Sequence, residues 1–325
     1  MNKDDKIREL LKEGKSYRYI SKELKCSNRR IQRINKKSDT ELEIIIKDSL
    51  KLSKLEQYMT EHNLSEKDLL MVAESIGKTN PYHRKEYSTG NNHNKFIVFG
   101  DTHIGNLAYD KQLMKHAAKI GKKEKVDFFV HGGDIADGWY QNRPLQLFEL
   151  EAIGFDQQLK LAVEELSQIE QPLYFITANH ENNTFMRGAG VELGTVLEDK
   201  LKQKGMETYF LGNAEADMML GKTKYKILHP DGGTAYAISY RPQKIAESFG
   251  GGEKPELLSI HHFHKAEYLF YRNIHIFQAG TFENQTPFMR GKNIPANKGF
   301  WLIDMYSNDK GGIDKITPTF YPSYD

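Results

Sequence analysis

Five short polar clusters in this chain carry the residue types that hold cations. They are Asp101 and His103 in GDTH, Asp134 and Asp137 in HGGDIADG, Asn179, His180 and Glu181 in TANHEN, His229 in ILHPDGG, and His262 and His264 in IHHFH. Carboxylates, imidazoles and one amide oxygen, with no thiolate, make a donor set for Mn, Fe, Zn or Ni rather than for a thiolate-bound zinc. Taken singly, each cluster has an ordinary explanation. Asp after Gly marks many surface turns, and a lone histidine is more often a satisfied core residue. Those explanations would have to hold five times in succession. Asp101, His103, Asp134, Asn179, His229, His262 and His264 exceed what one ion needs. Two ions about 3.5–4 Å apart, sharing one carboxylate, would use them all.

Such residues act together only if the fold brings them to one place. Each cluster follows a short apolar run, and the runs at 96–99, 128–130, 173–177, 226–228, 257–260, 275–278 and 299–303 read as strands. Helical spacing separates them at 108–122, 145–170 and 191–204. Strands alternating with helices predict an α/β domain over 95–325, with the polar clusters gathered at one sheet edge.

The N-terminal third is different. Residues 1–37 hold 13 Lys/Arg against 5 Asp/Glu, a surplus of +8, while the rest holds 33 against 39, a deficit of −6. A basic head on a mildly acidic body suits an anionic partner. The head also has apolar periodicity: Ile7, Leu10 and Leu11, then Ile20 and Leu24, then Ile31 and Ile34. Ser16 and Ser27 stand where helix N-caps are needed, Gly14 where a helix should stop, and Cys26 fits a small core position in a turn. A short three-helix unit over 1–37 is expected, its last helix turning Asn28, Arg29, Arg30, Gln32 and Arg33 outward. It resembles the helix-turn-helix of resolvase- and transposase-type DNA-binding domains. That resemblance implies a recognition helix whose Arg and Gln reach base edges in DNA, or contact RNA; a protein-docking hairpin is the plainer reading. Residues 38–94 are expected to form a helical connector, whose stretch 38–79 would also serve as a homodimer arm, followed by a polar linker at 80–94.

Composition narrows the setting. The chain has 325 residues, 38% of them hydrophobic and 28% charged, with a single cysteine. No apolar run approaches the roughly 18–20 residues of a membrane span, and the charged N-terminus has no signal-peptide core. A cytoplasmic protein without a membrane partner is expected.

The order D-x-H, G-D-x-x-D, N-H-E, H, H-x-H resembles the calcineurin-like metallophosphoesterase superfamily over about residues 95–305. The resemblance implies a four-layer α/β/β/α sandwich with two mixed β-sheets. It implies that Asp101, His103 and His264 hold one divalent ion and Asn179, His229 and His262 the other, with Asp134 bridging. His180 would donate a proton or hydrogen bond to the phosphate, with Asp137 orienting it. Gly280 and Thr281 stand in the places of the family's glycine-serine turn. Two positions depart from the pattern: Ala178 replaces Gly before Asn179, and His261 replaces Gly before His262, which leaves open whether His261 or His262 is the ligand. His131 is expected to pack beneath the site and Glu181 to support His180. Arg187, Tyr240 and Arg241 are candidate contacts to a substrate phosphate.

The implied activity is metal-dependent phosphoric ester hydrolysis, with Mn as the first expectation. The basic head favours a phosphodiesterase or nuclease acting on DNA. Its chemistry resembles that of the nuclease subunits of double-strand-break repair complexes, without their extended capping domain. A phosphatase acting on protein or small-molecule monoesters is the alternative. A DNA-binding regulator with a metal-binding scaffold domain is a third reading, but a scaffold has no need of His180.

Overall fold

In a computed structural model the described residues are 3–32, 34, 87–250 and 252–324. The chain divides into two compact units, residues 1–78 and 79–325. Arg33, the expected arm at 38–79, and the linker up to residue 86 lie outside the described residues.

In the first unit, helices Lys3–Lys12 and Tyr17–Glu23 precede a helical run at 28–32. Ile7, Ile20, Ile31 and Ile34 form its buried centre, with Leu10, Leu11, Leu24 and Cys26 packed around them. Both expected caps form: Ser16 Oγ accepts from the Tyr19 amide and Ser27 Oγ from the Arg30 amide, each at 3.3 Å. Asn28, Arg29 and Gln32 are exposed. Arg30 is half-buried, and its Nε and Nη2 donate to Asp4 Oδ1 at 2.9 and 2.6 Å. A partly exposed ion pair contributes about 0–1 kcal/mol, less than one buried Ile at about 1.5–3 kcal/mol. The isoleucines therefore hold the unit together, while the pair turns the Arg30 side chain towards Asp4.

The second unit is a sandwich of two mixed sheets. Its strands are β1 (Tyr87–Ser88), β2 (His93–Phe99), β3 (Phe128–Gly132), β4 (Leu173–Thr177), β5 (Thr208–Asn213), β6 (Glu215–Leu220), β7 (Thr223–Leu228), β8 (Leu257–Ile260), β9 (Ala266–Tyr271), β10 (Ile274–Ala279), β11 (Gly299–Ser307) and β12 (Ile313–Pro322). One sheet has the order β12-β11-β2-β3-β4-β5 and the other β1-β6-β7-β8-β10-β9. Strand alternation sorts the side chains into layers. Phe96, Val98, Phe128 and Val130 meet Met218, Tyr225, Ile227 and Phe277 between the sheets. Ile97, Phe99, Phe129 and Phe175 point the other way, onto helices Lys111–Glu124, Phe155–Leu166 and Leu193–Gln203. Leu258, Ile260, Ile274 and Ile276 pack under helix Tyr240–Ser248 on the far face. The α/β/β/α architecture is the one expected.

One expected element is different. The periodicity predicts a continuous helix over 145–170, but the chain forms a 3₁₀ turn at Pro144–Glu149, a non-helical stretch, and a helix only at Phe155–Leu166. Gly154 at φ +86° starts that helix from a conformation that an L side chain resists. Among the described residues, no helix is long and apolar enough to cross a membrane.

Candidate metal centre

The parallel ladder of β2 and β3 continues past both strand ends. The amides of Asp101, His103 and Ile104 donate to the carbonyls of Gly133, Asp134 and Ile135 at 2.8–3.0 Å. The D-x-H and G-D-x-x-D segments thus run side by side, and Asp101, His103, Asp134 and Asp137 are all buried. Five of the seven expected ligands have left-handed backbone: φ is +49° at Asp101, +47° at His103, +50° at Asp134, +78° at His262 and +52° at His264. Each such non-glycine residue costs on the order of 1–2 kcal/mol. Turning these residues out of the strand direction aims their side chains into one cleft.

There they form two groups whose donor atoms converge, Asp101–His103–His264 and Asp134–His229–His262. In the first, His103 Nε2 faces His264 Nε2 at 3.1 Å, and Asp101 Oδ1 lies 3.5 Å from His264 Nε2. In the second, His229 Nε2 is 3.1 Å from Asp134 Oδ2. The tautomers are set from outside the cleft. His229 Nδ1 donates to the Gly132 carbonyl and His262 Nε2 to the Gly232 carbonyl, each at 2.8 Å, which leaves His229 Nε2 and His262 Nδ1 to face inward. Asn179 lines the same cleft; its Oδ1 is buried without a hydrogen-bond partner, as is His229 Nε2. Buried acceptors are rarely left unmade. Opposed imidazole nitrogens, an orphaned amide oxygen and paired carboxylates are a donor set that fits divalent cations.

His180 and Asp137 complete the floor of the cleft. His180 Nδ1 donates to the Asp137 carbonyl at 2.6 Å, and the Asp137 carboxylate lies 3.4 Å from the same nitrogen. Asp137 Oδ1 is also 3.2 Å from His103 Nδ1, and its Oδ2 accepts from Asn106 and Gln146. One carboxylate therefore braces two imidazoles. Burial alone would lower the His180 pKa, but Asp134 and Asp137 outweigh it and hold it well above the ordinary value. Burial would likewise raise Asp134, but His229 and His180 hold it well below its usual range.

The two departures from the family pattern have local explanations. Ala178 has φ −142°, which any residue adopts, and it faces Gly133, which has no side chain. His261 lies beneath the floor, in space that a Cβ at Gly100 or Gly132 would fill. His262 and His264 line the cleft, and His261 does not. Thr281 Oγ1 donates to the Asp101 carbonyl at 2.8 Å and so fixes the D-x-H turn. Glu181 does not bond His180. Its two oxygens accept from the Ala136 and Ala178 amides at 2.8 Å, tying the second cluster to the third.

A cavity of about 690 Å³ opens over this floor. Arg187, Tyr240 and Arg241 are not among its lining residues; the Arg241 guanidinium donates to the Asp231 carbonyl and lies over Phe263. Arg143, Tyr140, Gln146 and Glu283 line it instead, and none was singled out in the sequence. Glu283 is buried 3.9 Å from both His103 and His264. Its position two residues after Thr281 was the available signal.

The family model for calcineurin-like phosphoesterases matches residues 94–324. The chain belongs to that family. Its members are phosphoric ester hydrolases that typically bind two divalent metals, and the phosphoesterase unit described above has the side chains to hold them. No curated protein matches the chain. Among solved structures, it is similar to an archaeal phosphodiesterase (13% identity, 70% of this chain and 99% of that one, TM-score 0.40). Vps29 of Entamoeba histolytica with zinc gives 11% identity, 70% and 98% coverage, and a TM-score of 0.36. The E. coli phosphoesterase Yfce gives 13%, 69% and 98%, and 0.34. The family assignment rests on the family model.

Proposed function

We propose that the protein is a two-metal phosphodiesterase acting on DNA. Residues 1–37 would serve as a helix-turn-helix DNA-binding domain, 38–94 as a connector whose last residues already pair into the hydrolase's sheets as β1 and the start of β2, and 95–325 as the hydrolase, working in the cytoplasm. The observation that carries the diester reading is the cleft. It has room beside the floor for a second substituent on phosphorus, and among the described residues Arg143 is the one Lys or Arg lining it. A monoester dianion calls for more cationic partners than a diester monoanion does.

In this reading Asp101, His103 and His264 would hold one cation, Asn179, His229 and His262 the other, and Asp134 would be shared by both. Bound there, two divalent cations would polarise the phosphoryl group and lower the pKa of a water. His180, kept protonated by Asp134 and Asp137, holds a proton at Nε2 for a phosphoryl oxygen or the departing alcohol. Asp137 keeps that imidazole, and His103, in one orientation. Asp137 beside His180 is also what favours the phosphatase alternative. Exposed Asn28, Arg29 and Gln32 support the DNA reading.

The test is a Mn²⁺-supplemented assay of a phosphodiester, a phosphomonoester and DNA, together with DNA affinity as a function of salt. The diester and DNA should be cleaved in preference to the monoester. Arg29→Ala with Gln32→Ala in the full chain should weaken DNA binding and reduce its salt slope by about 1, for one lost phosphate contact. A monoester preference without salt-dependent DNA affinity would hand the assignment to the phosphatase reading.

A further inference from the structure

One wall of the cleft is unlike its floor. Arg143 lies with its guanidinium 4.1 Å from the Phe288 ring centre and 4.9 Å from that of Tyr140. Among the described residues, the Arg143 side chain makes no hydrogen bond and has no carboxylate within ion-pair distance; Glu149, on the same cleft lining, acts on it only electrostatically from farther away. The two rings flank the guanidinium without accepting from its N–H groups as an oxygen or nitrogen would. Phe288 is presented by the short helix Pro287–Gly291, which Thr286 caps, and stays 42% exposed. Leu145, beside Arg143, is 73% exposed. Apolar surface left open inside a cleft needs an occupant more than the same surface on an outer face.

The wall is registered to the floor. The Tyr140 hydroxyl accepts from Asn179 Nδ2 at 3.3 Å, and its ring packs edge-on against His180, with centres 5.1 Å apart. Buried Gln146 donates to Asp137 Oδ2 at 2.8 Å and accepts from the Tyr140 amide at 2.9 Å. The sequence of contacts therefore runs from expected metal ligand to Tyr140 to Arg143 to Phe288. A group stacked on the outer end shares one cavity with a phosphate on the floor.

We infer that Arg143 and Phe288 form a nucleobase platform, which selects phosphodiesters carrying a nucleoside on the phosphate; this rests on the phosphodiesterase reading above. A nucleobase supplies what the wall lacks: a flat face for Phe288 and acceptor atoms for the guanidinium edge. An alkyl chain would leave the guanidinium unmet, and a simple alcohol would leave the aromatic face bare.

Two measurements separate this inference from the reading it rests on. The first is calorimetric binding of thymidine 5′-monophosphate, methyl phosphate and hexyl phosphate to the full chain with Mn²⁺. Thymidine monophosphate should bind tightest, and Arg143→Ala or Phe288→Ala should each weaken it about 10-fold, in the range for loss of one stacking partner. Equal affinity for the three ligands, tighter binding of hexyl phosphate, or variants that bind thymidine monophosphate like the parent would overturn the platform. The second compares thymidine 5′-(p-nitrophenyl phosphate) with methyl p-nitrophenyl phosphate, which share a leaving group. The thymidine ester should have the higher kcat/KM, and the two substitutions should shrink that advantage mainly through KM. An equal kcat/KM for the two esters would also overturn the platform. If neither ester turns over, the phosphodiesterase reading fails, and the binding series still decides the platform.

Discussion

The floor and the wall of the cleft are built on opposite principles. Asp101, His103, Asp134, Asp137 and His229 on the floor are buried and hydrogen-bonded or paired from behind, and several carry strained backbone. Arg143, Leu145 and Phe288 on the wall are exposed and carried on a 3₁₀ turn and a five-residue helix. Strain and burial are tolerated where geometry must be exact to tenths of an ångström. A wall that only sorts substrates can be built cheaply from surface loops. The contrast implies that floor residues set the rate and wall residues the choice of substrate.

The strongest way to break that division is at Asp134. Asp134→Asn should remove bound Mn from both positions and abolish turnover, as read by elemental analysis alongside a diester assay. Two ions retained with normal rate would refute a shared ligand. Next comes His180. His180→Ala should keep the metal content and lose about 10²–10⁴-fold in kcat, the usual contribution of a proton donor. Loss of metal together with rate would make His180 a ligand.

The same contrast governs what could be read from the chain. The floor was legible because its residue types are chemically narrow and each follows an apolar strand end. The left-handed turns were not, since nothing in the types Asp and His announces a positive φ. The wall was misread. Leu145 and Phe148 stand three apart, like core positions on a helix, and so the periodicity extended one helix back to 145. They are 73% and 81% exposed. An apolar residue facing a cleft and one facing the core look alike in sequence. Strands β1, β5, β6, β9 and β12 were missed for a related reason: each lies at or near a sheet edge and is partly exposed, so polar residues break up its apolar run. Arg187 and Arg241 were nominated by their basic charge near motifs, whereas Arg143 has no motif beside it.

A smaller effect should come from beneath the floor. His131 is buried, with Nδ1 accepting from the Gly133 amide at 3.2 Å. Its proton is then on Nε2, facing Thr102 Oγ1 at 3.0 Å, and Thr102 donates on to the Ile135 carbonyl. This neutral imidazole ties the D-x-H turn to the G-D-x-x-D turn. Burial pushes its pKa down to about 3, with His261 adding to the shift. The folded pKa lies below the unfolded one, so the unfolded chain binds more protons once the pH drops under about 6.5. Stability from this group is full above that value and is lost as the pH falls towards the folded pKa, by about 2 kcal/mol at pH 5. In urea unfolding of the chelated protein at pH 8 and pH 5, His131→Gln should shift the pH dependence of the parent by a similar amount, while His103, His180 and His229, whose raised pKa values act with the opposite sign, contribute alike to both proteins. An unchanged pH slope would mean that His131 does not hold the two turns as a neutral group.

The smallest effects are expected on the wall, where they sharpen the contrast most. Leu145 and Phe148 belong to the same 3₁₀ turn and are similarly exposed, but only Leu145 lines the cleft. Neither side chain loses much burial when truncated, so Leu145→Ser and Phe148→Ser should each shift unfolding free energy by no more than about 0.5 kcal/mol. Their effects on catalysis should differ. Leu145→Ser should raise KM for the thymidine ester a few-fold, at constant kcat and constant metal content, while Phe148→Ser should leave both constants alone. Destabilisation by either change beyond about 1 kcal/mol would show that the turn is packed core, and the wall would then resemble the floor. A kcat loss in Leu145→Ser with KM unchanged would put the wall in the chemical step. An equal KM effect from both would extend the substrate surface across the whole turn, onto the outer face that Phe148 occupies.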